Sequence, residues 1–191
     1  MTSPAISRFD VPEFQSLPED IQNRMTEIQE KAGFIPNVFL ALAYRPDELR
    51  AFMAYHDALI LRDSGLSKAE KEMIIVATSA KNDCLYCVVA HGAILRIYAK
   101  DSKISDQIAT DYTKADITEK QKVMLDFAVK TATNAAKISA TDLEQLRTYG
   151  FSENDIWDIG AITALFALSN RMASLAAMRP NDEFYTMGRN F

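Results

Sequence analysis

Both cysteines of the chain fall in one short run, Cys84-Leu85-Tyr86-Cys87-Val88-Val89-Ala90-His91, which ends on one of its two histidines. On a helix opening at Cys84, with roughly 100° per residue, the Cβ directions of Cys84, Cys87 and His91 lie within about 60° of one another. A dithiol and an imidazole then share one face. Cys87 and His91 form an i,i+4 pair, close enough for the ring to take or hold the thiol proton. Glu72 lies on the preceding helix and can return to this face only through a tight reversal near Lys81-Asn82-Asp83.

Such a constellation suits thiol peroxidase chemistry. One thiolate attacks the O–O bond of a hydroperoxide and becomes a sulfenic acid, and the second cysteine condenses with it to a disulfide. The nucleophile must be a thiolate, so its pKa must be lowered. The positive end of the helix favours Cys84 for that role. The neighbouring base favours Cys87, and spacing alone leaves the choice open. Glu72 can orient His91 and stabilise its cationic form, as a third group does in a generalised triad. A structural disulfide across so small a loop would add little stability.

Two other readings compete. C-x2-C-x3-H with Glu72 offers four metal ligands, but structural zinc sites more often join two ligand pairs, and the chain has no second pair. Haem attachment needs histidine directly after the second cysteine, where Val88 stands. Free cysteines are also among the most buried residue types, so the pair can be mere core. His56 has no spaced partner and reads as a surface or packing residue. Trp157 reads as a core or interface anchor. Asn170-Arg171, inside an apolar stretch, reads as a polar tie between helices or subunits. Tyr86 can pack or donate a hydrogen bond.

The elements that must position these groups are helices. No stretch alternates apolar and polar residues at period two over strand length, so the fold class is all-α. Residues 1–15, with Pro4 and Pro12, form an extended arm; 16–180 form one helical domain; 181–191 form an irregular tail. Pro18 and Gly33 bound the first helix. A short helix covers Val38 to Ala43, and Pro46 starts a third that Gly65 breaks. Ser67-Lys68-Ala69-Glu70 is a capping box opening an apolar helix that carries Glu72. The cysteine helix runs from about Cys84 to Ala99. Thr118-Glu119-Lys120-Gln121 and Thr141-Asp142-Leu143-Glu144 open two more, and Ser152-Glu153-Asn154-Asp155 opens the last long one. Leu66-Ser67 before one apolar helix is echoed by Phe151-Ser152 before another, which suggests a duplicated unit.

A net charge of −5 and no Lys/Arg cluster argue against nucleic-acid binding. No signal peptide opens the chain, and no run approaches the ~18 uninterrupted apolar residues of a membrane span, so the expected location is the cytoplasm. There the thiols stay reduced unless they cycle. The apolar runs 72–80 and 156–178 exceed what one small core needs, which points to a buried subunit interface.

Glu72, Cys84, Cys87 and His91 at this spacing resemble the AhpD-like alkylhydroperoxidases of the carboxymuconolactone decarboxylase superfamily. Gly33-Phe34-Ile35-Pro36-Asn37-Val38-Phe39, Arg45-Pro46, Leu66-Ser67-Lys68-Ala69-Glu70, Asp155-Ile156-Trp157-Asp158 and Ser169-Asn170-Arg171 resemble its peroxidase-related branch. The likeness spans about residues 9–180. It implies a helical bundle with a duplicated unit and a homo-oligomer, commonly a dimer, trimer or hexamer. It also implies a Glu72/His91 proton relay serving a Cys84/Cys87 dithiol that reduces hydroperoxides. No bound cofactor is expected; an external dithiol, on a lipoyl- or thioredoxin-type partner protein, would re-reduce the pair. AhpD has a histidine just before its second cysteine, where this chain has Tyr86. The rival activity is decarboxylase-type lyase chemistry on a small acid, with Glu72 or His91 as base.

Overall fold

The computed structural model describes residues 5–190, so Met1 to Pro4 of the expected arm and Phe191 of the expected tail lie outside the described residues. Among the described residues ten α-helices follow one another: α1 Glu19–Ala32, α2 Asn37–Leu42, α3 Pro46–Ile60, α4 Lys68–Lys81, α5 Leu85–Ala99, α6 Ile104–Asp111, α7 Glu119–Asn134, α8 Ala140–Thr148, α9 Glu153–Ala176 and α10 Glu183–Thr186. No strand occurs among the described residues, so the fold is all-α.

Local chemistry sets the helix starts. Ser67, Thr118 and Ser152 each close a reciprocal capping box, with Glu70, Gln121 and Asp155 reaching back to the cap. The box expected at Thr141 instead forms two residues earlier. Asp142 accepts from the backbone N–H and hydroxyl of Ser139, and Lys130 fixes its carboxylate. Gly33 ends α1 at φ +86°, a left-handed position that glycine adopts without a Cβ clash.

Helix α4 is the centre of the fold. Lys71 to Ser79 are all buried, packed against α5, α7 and α9. Ile74, Ile75 and Val76 are sealed from solvent, each stabilising the fold by about 1.5–3 kcal/mol. The apolar run over 72–80 is therefore absorbed by this chain's own core and gives no support to a subunit interface. Buried Lys71 sits where an apolar residue would be expected. Its ammonium donates to the carbonyls of Leu59, Ile60 and Arg62, satisfying the free C-terminal groups of α3.

By length and composition α9 would suit a membrane span. Within the fold it is a core helix, and Asp155, Asp158 and Asn170 are buried along it. Asp158 is held by Arg62 at 2.5 and 2.7 Å, which ties the segment after α3 to α9. Trp157 is 74% exposed, so it is no core anchor in this chain. It shares the outward side of α9 with exposed Leu168 and Leu175.

The segment after α9 is more ordered than its polar composition suggests. Ile6 and Arg8 of the arm exchange backbone hydrogen bonds with Arg179 and Ala176. Beyond Pro180 the expected irregular tail contains α10, because Arg96 of α5 donates to the carbonyls of Phe184 and Met187 and buries the Phe184 ring.

Candidate active site

The sharp turn between α4 and α5 builds the thiol site. Asp83 takes φ +51°, a left-handed conformation that aspartate tolerates better than most residues. The chain reverses there, and Cys84 becomes the N-cap of α5. Its sulfur accepts the backbone N–H of Cys87 at 3.4 Å, the place a serine or aspartate oxygen usually fills. Both cysteines are free and buried. The Cys87 sulfur lies 3.8 Å from the Ser169 hydroxyl of α9.

The two thiols are far from equivalent. The Cys87 thiol, its backbone N–H and the Asn170 amide all stabilise a thiolate on Cys84, lowering its pKa from 9.0 to about 7 against the opposing effect of burial. Cys87 is pushed strongly the other way by the hydrogen bond it gives Cys84, by burial and by the neighbouring charge. Near neutral pH Cys84 is thus about half thiolate, while Cys87 keeps its proton.

The reversal also returns α5 alongside α4, so His91 Nδ1 meets Glu72 Oε2 at 2.7 Å. Glu72 is buried, and with its carboxylate oxygen as acceptor the Nδ1 position donates and Nε2 is left open. The ring is held edge-on by Phe166 at 4.7 Å. Cys87, His91 and Phe166 line one cavity of about 170 Å³, whose wall is otherwise mainly apolar: Val38, Phe39, Phe52, Ile94 and Phe184. Cys84 does not line this cavity; it lines a separate groove with Asp83, Leu85, Ala173 and Met178.

The four residues singled out from the sequence therefore meet as two linked pairs, Glu72 with His91 and Cys84 with Cys87. They do not gather as metal ligands: Glu72 is engaged by Nδ1, and no group of three or more His, Cys, Asp and Glu side chains converges for a metal among the described residues. Tyr86 packs in the core and its hydroxyl accepts the Val38 N–H, so it braces α2 against α5 as an acceptor rather than a donor.

Two residues join the site unannounced by the sequence. Asn170, read as a tie between helices, does donate to Ser79 and accept from Asn82, and the same amide stabilises thiolate at both cysteines. Its pairing with Ser169 in the echoed segment was the available signal. His56 of α3 lines the cavity beside His91, and nothing in its spacing announces that.

A helical dithiol protein with a carboxylate-bound imidazole is the class that this fold and site define. The model of the carboxymuconolactone decarboxylase family matches residues 46–110, which hold Glu72, both cysteines and both histidines. The crystal structure of an alkylhydroperoxidase AhpD core, an uncharacterized peroxidase-related protein from Ralstonia eutropha JMP134, is 61% identical with a TM-score of 0.97, covering 98% of each chain. An uncharacterized peroxidase-related protein from Silicibacter sp. TM1040 is 42% identical with a TM-score of 0.93, covering 99% of this chain and 100% of that one. The chain belongs to the carboxymuconolactone decarboxylase family, in its AhpD-like, peroxidase-related branch. The debrominase Bmp8, 19% identical with a TM-score of 0.78 over 96% of this chain and 95% of its own, shares the fold alone. No curated protein matches the chain.

Proposed function

We propose that the chain is a thiol-dependent hydroperoxidase in which Cys87 attacks the substrate, Cys84 resolves, and Glu72 and His91 relay the proton. The observation that carries this reading is that Cys87 and His91 line one apolar cavity while Cys84, the thiol biased toward thiolate, lines a separate groove. The charge sits on the sulfur that does not face this cavity. Attack requires contact, so the cavity decides the nucleophile, and the high pKa of Cys87 is the reason a base is needed.

As Cys87 sulfur bonds to the terminal oxygen of ROOH, its proton passes to His91 Nε2. The O–O bond breaks, and the departing RO⁻ takes that proton as ROH. Cys87 is left as a sulfenic acid. The Cys84 thiolate then attacks the Cys87 sulfur, the S–S bond forms, and hydroxide leaves to solvent, carrying away the charge that Cys84 held. The two electrons that reduce the peroxide come from the two sulfurs. Glu72 keeps the Nδ1 position protonated throughout, so Nε2 alone exchanges the proton.

Resetting the disulfide needs an external dithiol, such as a lipoyl- or thioredoxin-type group on a partner protein. The groove beside Cys84 gives it a separate approach. The protein carries no cofactor in this cycle and works in the reducing cytoplasm, as a homo-oligomer covering the Trp157, Leu168 and Leu175 side of α9. Lyase chemistry on a small acid is the weaker reading, because among the described residues no Arg or Lys lines the cavity to meet a carboxylate.

The test is the thiol titre and intact mass before and after one equivalent of cumene hydroperoxide. Loss of both thiols with a mass lower by two hydrogens, abolished in Cys84→Ser and in Cys87→Ser, supports the cycle. Two unreactive thiols in reduced protein would sink it.

A further inference from the structure

His56 is unused in the cycle above, yet it shares the cavity with Cys87 and His91. Its ring lies beside Phe52 at 6.4 Å, inclined by 30°. Its Nδ1 is 3.1 Å from Asp57 Oδ1, and Arg24 of α1 holds the other carboxylate oxygen at 2.7 Å. That carboxylate accepts from Arg24, and as an acceptor beside the ring it places the proton on the Nδ1 position. Nε2 is then a bare acceptor. It has no hydrogen-bond partner among the described residues, and no buried side-chain nitrogen or oxygen among them lacks one. Nε2 therefore reaches accessible space. The charged or titratable groups that face the ring are Asp57 on its own helix, Arg24 on α1, Glu72 on α4 and His91 on α5. Burial dominates among them and lowers the pKa of His56, keeping the ring neutral at pH 7.

The cavity thus holds two imidazoles with matching tautomers, each fixed by a carboxylate at Nδ1. The reaction gives them different tasks. One ring must carry a proton from the thiol to the departing oxygen. The other proton in play, on the terminal oxygen of ROO–H, stays on that oxygen and ends in the sulfenic acid. It needs an acceptor that orients it without removing it, which suits a neutral ring.

We propose that His56 is a second substrate-contacting residue, whose Nε2 accepts a hydrogen bond from the O–H end of a small apolar hydroperoxide and so turns the terminal oxygen toward Cys87. The cavity, about 170 Å³, is close to the ~150 Å³ of an apolar cavity that holds benzene and below the ~300–1,000 Å³ of drug-sized pockets. The substrate class is therefore a hydroperoxide with one aromatic ring or a short branched alkyl group. This assignment rests on the hydroperoxidase reading for its chemistry, and its binding arm is independent of it.

Two measurements test it. In the first, oxidation of the thiols by cumene hydroperoxide is timed in the parent, His56→Leu and His56→Gln, beside alkylation of the same thiols by iodoacetamide. Loss of one substrate hydrogen bond should slow oxidation by about tenfold in His56→Leu. His56→Gln, whose amide oxygen can still accept, should recover part of the rate, and alkylation should be unchanged in both. Equal oxidation in all three proteins, or equal slowing of oxidation and alkylation, overturns the assignment. In the second, the unreactive alcohol 2-phenyl-2-propanol is titrated into ¹⁵N-labelled protein. The chain has only two histidines, so their imidazole signals can be told apart. Binding should move His56 Nε2; a saturating titration that leaves it unmoved overturns the assignment. Movement of that signal in a protein whose thiols ignore hydroperoxide would keep the hydroxyl-holding site and remove the peroxidase reading.

Discussion

The low pKa of Cys84 should depend on the Cys87 thiol, and Cys87→Ala tests this directly. Hydrogen bonds to a charged group are worth about 1.5–3 kcal/mol, and one pKa unit is about 1.4 kcal/mol. Removing the S–H donor, the largest cause of the shift to about 7, should therefore raise the Cys84 pKa by roughly one to two units. The backbone N–H of residue 87 and the Asn170 amide remain, so the smaller rise is the better expectation. In the parent about half of Cys84 is thiolate at pH 7; in the variant the fraction falls about fivefold for one unit and about fiftyfold for two. The assay is the pH dependence of iodoacetamide alkylation of fully reduced protein, with the modified residue identified by mass. Because Cys84 is 2% exposed, absolute rates will be low, but the midpoint is what matters. Cys87→Ser keeps an O–H donor and should shift less than Cys87→Ala. An unchanged midpoint in Cys87→Ala, or equal shifts in both variants, would refute the thiol-to-thiolate hydrogen bond.

Other outcomes follow from the same contacts. His91→Ala should slow thiol oxidation by hydroperoxide by about a hundredfold, the usual scale of a lost general base, and Glu72→Gln by less; unchanged rates in both would remove the relay. The depressed Cys84 pKa should add stability that is full above about pH 9, its unfolded value, and lost as pH falls through about 7. Urea melts of the reduced protein should show up to about 2 kcal/mol of that gain between pH 7 and 9, absent in Cys84→Ser. The raised Cys87 pKa should turn the curve down above about pH 9, where the unfolded thiol ionises and the folded one does not. Arg62→Leu strands the buried Asp158 carboxylate and should cost about 3 kcal/mol by urea midpoint. Gly65→Ala would drive a methyl group into the Asp155 carboxylate that caps α9 and should cost about 1–3 kcal/mol.

What the sequence revealed was local. Ser67/Glu70 and Ser152/Asp155 lie three residues apart and act within a single turn, so their boxes could be read directly. The same holds for Cys87 and His91, one helical turn apart, and for Glu72, which a short reversal returns to them. What stayed hidden joins distant segments. His56 reaches the cavity because α3 packs beside α9, and no spacing in α3 encodes that. Asn170 meets thiols more than eighty positions away, and Phe184 reaches the cavity through two backbone carbonyls held by Arg96. The core half of the Trp157 reading fails because size and apolarity favour burial, whereas its position on α9 faces outward. Ser139 rather than Thr141 caps α8, and its partner Asp142 is also held by Lys130 of a different helix.

The origin of the cavity walls has an evolutionary consequence. The groups with chemistry to perform, Glu72, Cys84, Cys87, His91 and also His56, fall within the segment matched by the family model. Much of the enclosing wall does not: Val38 and Phe39 come from α2, Phe166 from α9 and Phe184 from α10. Substitutions in these outer segments can reshape the chamber while leaving the dithiol and the Glu72–His91 pair untouched. A lineage can thus diversify what it accepts without reinventing how it reacts, and the last helix of the chain is as open a route to a new substrate as the thiol helix itself.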